Sequence, residues 1–225
     1  MGKLIVIEGS CDGVGKSTQY RMLIDRLKEE KENMIITHHF PSYGTYQGRP
    51  VEEYLKGNYG KISELSPYFV NSLYAQDRAI TWISGLKQEY EKGNIILLDR
   101  YTTSSLIYQS TTIEDKEERE KFIDYIYDYE YNKMGLPVPD LVIFLHLPFE
   151  LANELRKKRK SNGEIQDDIH ESDIAFMKMV SDTSIDIANK YNWDFIECSS
   201  DNKLRSIEDI HNDVYKLVRK KIYND

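Results

Sequence analysis

Cysteine is almost missing from this chain: Cys11 and Cys198 are the only two in 225 residues. Two thiols supply neither a disulfide framework nor a set of metal ligands. Proline is scarce, with six residues scattered among loops, and no repeat or low-complexity tract stands out. No apolar run approaches the roughly 18 residues of a membrane-crossing helix. Basic residues are outnumbered, 30 against 38, and the net charge of −8 argues against nucleic acid as the main partner. Met1-Gly-Lys-Leu-Ile-Val-Ile-Glu8 runs straight into a strand-like segment and leaves no room for a signal peptide, so a cytoplasmic protein is expected.

What is present is ordinary globular composition, 40% apolar and 30% charged, over a length that fits one large domain with a substantial core. The most informative stretch is Ile5-Val-Ile-Glu-Gly-Ser-Cys-Asp-Gly-Val-Gly-Lys-Ser-Thr18. An apolar strand, a glycine-rich turn and a helix opening on Gly15-Lys16-Ser17 make up a phosphate-binding loop. Backbone N–H groups of Gly13, Val14, Gly15 and Thr18 and the helix dipole would favour phosphate oxygens. Lys16 would reach the outer phosphates and the Ser17 hydroxyl would sit on Mg²⁺. The alternative is a plain strand-to-helix turn. The usual spacing places Ser10 where a glycine belongs, so either Ser10 takes a positive φ or the loop is one residue longer. Cys11, near Lys16 and a helix N-terminus, sits where thiol pKa is lowered, so sensitivity to alkylation is expected. Cys198, at the end of an apolar run, reads as a buried hydrophobe.

Strand-like runs cover Leu4–Ile7, Met34–Thr37, Asn94–Leu98, Leu141–Leu147 and Trp193–Cys198. They are nearly continuous rather than alternating, as in strands covered on both faces. Helical patterns fall at Thr18–Lys31, Pro67–Lys92, Thr103–Ser110, Lys116–Lys133, Phe149–Lys158, Ser172–Tyr191 and Ser206–Tyr223. The alternation predicts an α/β fold of the P-loop NTPase type, a doubly wound five-stranded parallel sheet with helices on both faces. Its ligands belong beyond the carboxyl ends of the strands.

Three clusters fall at such ends. Asp99-Arg100-Tyr101 closes the third strand, where the aspartate would help hold Mg²⁺ and Arg100 would fork onto phosphate oxygens; alternatively the two form a surface ion pair. Phe40-Pro-Ser-Tyr-Gly-Thr-Tyr-Gln-Gly-Arg49 offers aromatics, hydroxyls and an arginine to a planar phosphorylated ligand, or is a surface turn. Tyr74 and Arg78, four apart on one helix face, can stack on a base and hydrogen-bond its carbonyl, or simply pack together.

Taken in order, Ile7-Glu-Gly9, Asp12-Gly-Val-Gly-Lys-Ser-Thr-Gln19, Phe40-Pro41, Tyr74 with Asp77-Arg78, Asp99-Arg-Tyr101 and Pro139-Asp-Leu-Val-Ile-Phe-Leu145 resemble the thymidylate kinases over essentially the whole chain. The resemblance implies one kinase domain over residues 1–225 that moves the γ-phosphoryl group of ATP to dTMP. It implies that Asp12 contacts the acceptor and helps organise Mg²⁺. Phe40 would line the acceptor pocket, Tyr74 stack on thymine and Arg78 hydrogen-bond its O4. Arg100 would grip the acceptor phosphate, with Ser105 and Tyr108 following. Tyr43 matches a phosphate-contacting tyrosine of some members, with Arg49 as its substitute. Arg156-Lys-Lys-Arg-Lys160 has three readings: a solvated helix end, a nucleic-acid patch, or a basic lid over ATP at about 156–171. Members of the family take the catalytic cation from the phosphate loop or from the lid; Gly13 and Val14 supply no loop arginine, so the resemblance implies the lid, with Arg159 ahead of Lys160, and puts Arg156 on adenine. Asp168 and His170 would then serve the acceptor side, or His170 is only a polar helix-cap neighbour. The resemblance also implies a homodimer. The rivals are another nucleotide kinase, a deoxynucleoside kinase using Glu8 as base, or a P-loop protein that binds without turnover.

Overall fold

The computed structural model describes residues 1–30, 35–163, 169–170 and 173–223. Five parallel strands form one sheet: β1 (Lys3–Gly9), β2 (Ile35–His39), β3 (Ile95–Asp99), β4 (Leu141–His146) and β5 (Asp194–Glu197), in the order β2-β3-β1-β4-β5. β1 is central, with Ile5 opposite Leu97 of β3 and opposite Leu141 of β4. Side chains alternate across the sheet. Ile5, Ile7, Ile95, Leu97, Ile143 and Leu145 go to one face, whereas Leu4, Val6, Ile96, Leu98 and Val142 go to the other. Both faces are covered, which is why the strands read as unbroken apolar runs.

The first face is closed by α1 (Lys16–Glu29), α7 (Phe149–Ser161) and α9 (Ile207–Val218), through Leu23, Leu27, Ala152, Ile210, Val214 and Val218. Behind the second face lie α3 (Pro67–Thr81), α4 (Lys87–Glu91), α5 (Thr102–Thr111), α6 (Lys116–Tyr127) and α8 (Ile174–Lys190). Leu106 and Ile107 of α5 meet Phe122, Ile123 and Ile126 of α6 and Val180 and Ile187 of α8. Asp115, Asp173 and Ser206 cap α6, α8 and α9 by accepting hydrogen bonds from backbone N–H groups of the first turn.

The expected helix over 67–92 is present but not uniform. A π-helical turn at Trp82–Leu86 joins α3 to α4, burying Trp82 and Leu86 against the sheet. α6 likewise runs into a π-helical turn at Asp128–Lys133. Such an insertion rotates the following face, and a 3.6-residue pattern does not reveal it. The elements not expected are α2 (Arg49–Leu55), a 3₁₀ turn at Ile62–Glu64 and a hairpin of β6 (Ser199–Ser200) with β7 (Lys203–Leu204). Lys31, Met34 and Ser172, expected as end residues of elements, lie outside the described residues.

From β1 the chain winds toward the β2 edge, and after β3 it crosses to β4 on the other side of β1. The crevice at the carboxyl ends of β1, β3 and β4 therefore lies at the switch point of the sheet. Ile143 is fully buried in β4 beside β1. Ile143→Ala should lower stability by about 2–5 kcal/mol, read as the urea midpoint with an unchanged slope; a midpoint equal to the parent's would contradict this core.

Candidate active site

β1 ends at Gly9, and the chain turns over the N-terminus of α1. Ser10 is fully buried, its N–H donates to Leu145 O at 2.9 Å and its hydroxyl donates to Leu147 O at 3.1 Å. Positive φ falls on Gly13 (93°) and Gly15 (100°) and not on Ser10. Of the two ways to fit the serine, the structure takes the longer loop. Gly9 has its own requirement, since a Cβ there would sit 2.5 Å from Val14 Cγ1 and 3.1 Å from Lys16 Cγ.

The Asp12 carboxylate gathers three partners from two sides. Lys16 Nζ of α1 stands 3.4 Å from Oδ1, Arg100 Nη2 donates to the same oxygen, and Tyr108 of α5 donates its hydroxyl to Oδ2 at 2.9 Å. Burial alone would raise the Asp12 pKa, but Arg100 and Lys16 hold it far below the usual carboxylate range. Burial and the neighbouring Asp12 charge push the Tyr108 phenol up, so it stays a protonated donor. Arg100 follows β3 with φ 66°, a left-handed backbone that costs a non-glycine residue about 1–2 kcal/mol. That backbone turn brings its guanidinium onto Asp12 and over the Tyr108 ring, 5.3 Å from the centroid.

Asp99 precedes it. Its Oδ2 accepts from His39 Nδ1 at 3.1 Å, while its Oδ1 is buried with no hydrogen-bond partner. Burial raises the Asp99 pKa, yet the His39 hydrogen bond with the Lys16 and Arg100 charges brings it below the ordinary value.

Two cavities meet at this cluster, and Asp12, His39 and Arg100 line both. The larger, of about 610 Å³, is walled by residues 13–18, Asp99, Arg156 and Arg159. Gly13, Val14, Gly15, Lys16, Ser17 and Thr18 are thus together, as expected. The smaller, of about 310 Å³, is lined by Phe40, Tyr43, Tyr74, Arg78, Ser105, Tyr108 and His170, again as expected. Arg49 is exposed at the start of α2 and lines neither cavity, whereas Tyr43 does. Asp168 lies outside the described residues, and of the segment expected as a lid only 156–163 and 169–170 are described.

Sequence reasoning missed several lining residues. His39 ends β2 directly before Phe40, and its position at a strand's carboxyl end was the available signal. Gln109, next to Tyr108, brings an amide to the smaller cavity. The β6–β7 hairpin and the start of α9 bring Leu204 and Ile207 to the larger one, both about half exposed, and strands of two residues leave no pattern to find. Asp77 supports the site from behind, where its Oδ2 accepts from Ser42 N at 2.8 Å and anchors the loop after Phe40.

Glu8, a candidate base in one rival reading, is fully buried and occupied. Its oxygens accept from Gly9 N, Thr103 Oγ1 and Ser104 Oγ at 3.1, 2.9 and 2.6 Å, and it lines neither cavity.

A site of this kind can hold two phosphorylated ligands end to end, with cations and loop N–H groups at the junction. Comparison with known proteins agrees in outline. A family model described as "Thymidylate kinase" matches residues 7–214. The probable thymidylate kinase 1 of Saccharolobus solfataricus is 30% identical over 226 residues, covering 99% of this chain and 100% of the relative. The human thymidylate kinase is 29% identical over 96% of this chain and 89% of its own length. A solved thymidylate kinase from Candida albicans superposes with a TM-score of 0.73 at 24% identity, covering 100% of this chain and 94% of that one, a likeness of fold.

Cys11 departs from expectation. It is 1% exposed, and burial pushes its thiol up to about 11 despite nearby Lys16. The helix terminus and lysine do not offset the loss of water. Native protein treated with iodoacetamide near pH 7.5 should leave Cys11 unlabelled and label it after denaturation; rapid native labelling would overturn this assignment.

Proposed function

The chain belongs to the thymidylate kinase family, and on that footing we propose that it transfers the γ-phosphoryl group of ATP to dTMP, giving dTDP and ADP. The observation that carries this reading is the shared wall: Asp12 and Arg100 line both cavities, so donor and acceptor phosphates meet on one charge cluster. ATP takes the larger cavity. Its phosphates lie against the backbone N–H groups of residues 13–18, with Lys16 on the outer phosphates. dTMP takes the smaller cavity, with thymine on the Tyr74 ring, Arg78 toward its O4, and Phe40, Ser105 and His170 around it. Arg100 and Tyr43 serve its phosphate.

The residues fit a magnesium ion: the buried Asp99 Oδ1 lacks a partner and shares the donor cavity with Ser17 and Asp12. Asp99, Ser17 and Asp12 would hold Mg²⁺, and when bound it would neutralise charge on the ATP phosphates. Transfer is in line and needs no covalent intermediate. Asp12 keeps Lys16 and Arg100 within one cluster, so positive charge borders both the leaving and the attacking oxygens. Arg159 approaches from α7 as the lid cation, and Arg156 beside it lies against the adenine. Glu8 is spent on loop and helix contacts, which disfavours a deoxynucleoside kinase that needs a carboxylate base.

The same reading treats residues 1–225 as one kinase domain with a lid at about 156–171. It also holds that the protein is a cytoplasmic homodimer, with Tyr68, Phe69 and Ile83, all at least two-fifths exposed along the α3 segment, at the contact. Among the described residues no helix is long and apolar enough to cross a membrane.

ADP release should be strong with Mg-ATP and dTMP, weaker with dUMP, and near background with thymidine, dGMP and AMP. Lys16→Ala should lower kcat by roughly 10²–10³-fold. Turnover of thymidine in place of dTMP, or near-parent turnover in the Lys16 variant, would contradict the assignment.

A further inference from the structure

Arg78 is 1% exposed at the wall of the acceptor cavity, yet most of its guanidinium is bound inside the protein. Nε donates to Glu130 Oε2 and Nη2 to Glu130 Oε1, each at 2.7 Å, a parallel fork. Nη2 also donates to Ser105 Oγ at 2.7 Å, and Nη1 reaches Tyr101 O at 3.5 Å. A guanidinium has five N–H donors. Four have partners here, which leaves one, on Nη1, for a ligand.

Glu130 is fully buried, lies in the π-helical turn after α6 and lines neither ligand cavity. Thr102 Oγ1 donates to its Oε2 at 2.8 Å, so that oxygen serves Arg78 and Thr102 at once. A carboxylate buried this deeply is retained at a desolvation cost, and a bidentate fork fixes the plane of its partner as a single hydrogen bond does not.

We propose that Glu130 is a positioning residue for acceptor selection: by locking the Arg78 fork it presents one N–H donor to the base and so favours pyrimidines with a 4-carbonyl over those with a 4-amino group. This rests on the acceptor-cavity reading above. The chemistry is one-sided. A carbonyl oxygen accepts from Nη1, while an amino group there would set donor against donor, with a cation that cannot turn because three of its other contacts hold it. dUMP and dCMP differ at this edge and are the informative pair.

The test measures affinities of dTMP, dUMP and dCMP by calorimetry, with kcat and KM for dTMP and the affinity for ATP, in the parent, Glu130→Gln and Thr102→Val. An amide in place of the carboxylate puts an N–H against one arm of the fork and releases it. Glu130→Gln should weaken dTMP and dUMP by roughly tenfold, leave dCMP within about twofold, and raise KM for dTMP far more than it changes kcat. ATP affinity should stay at the parent value. Thr102→Val, nearly isosteric, should shift the dUMP-to-dCMP ratio the same way by about threefold, and it decides the question if the Gln variant does not fold. An unchanged ratio in the folded variants, or a parallel loss for all three nucleotides and ATP, would overturn the lock. A parent protein that binds dTMP over dCMP but never phosphorylates it would sink the kinase reading and leave the lock standing.

Discussion

The Asp12 carboxylate is the constraint around which the rest is arranged. It carries one negative charge and receives Lys16 from the larger cavity, Tyr108 from the smaller one, and Arg100, which lines both. Without it, Lys16 and Arg100 would lose the charge that sits between them, and Arg100 would keep the more distant Glu8 carboxylate, 3.7 Å away. With it, both cations are held in one cluster in advance, the kind of preorganisation from which transfer sites in general gain most of their rate.

The fold delivers these groups through strand ends. β1 feeds the loop with Asp12 and Lys16, β2 ends on His39, and β3 ends on Asp99 with Arg100 next in the chain, so the two cavities share a floor made by adjacent strands. Arg100 accepts a left-handed backbone to reach Asp12. A glycine would sit there with less strain but could not bridge the two cavities. His39 occupies one Asp99 oxygen and leaves the other bare. Behind this floor Glu130 holds the Arg78 guanidinium by a two-point fork, as Asp12 holds Lys16 and Arg100.

Much of this was legible from residues alone, because it was local. Glycines, lysine and serine sit within ten positions of β1, and unbroken apolar runs ending in charge mark parallel strands. Tyr74 and Arg78 shared a face by simple helix spacing. The rest depended on contacts far apart in the chain. Glu130 is 52 residues from Arg78, and a π-helical turn helps place it, which leaves no trace in a 3.6-residue pattern. The Cys11 thiol was misjudged because its neighbours in sequence are cationic while its surroundings in space are dry. Arg49 and Tyr43 looked interchangeable in one loop until α2 began at the arginine and left it exposed outside both cavities.

Asp12→Asn, with nucleotide affinities measured beside single-turnover rates, asks whether one carboxylate couples the two cavities. The amide keeps the shape and removes the charge. The transfer step should fall by about 10²-fold or more while ATP and dTMP each still bind. Transfer within a few-fold of the parent would show that the cluster is not what joins the two cavities.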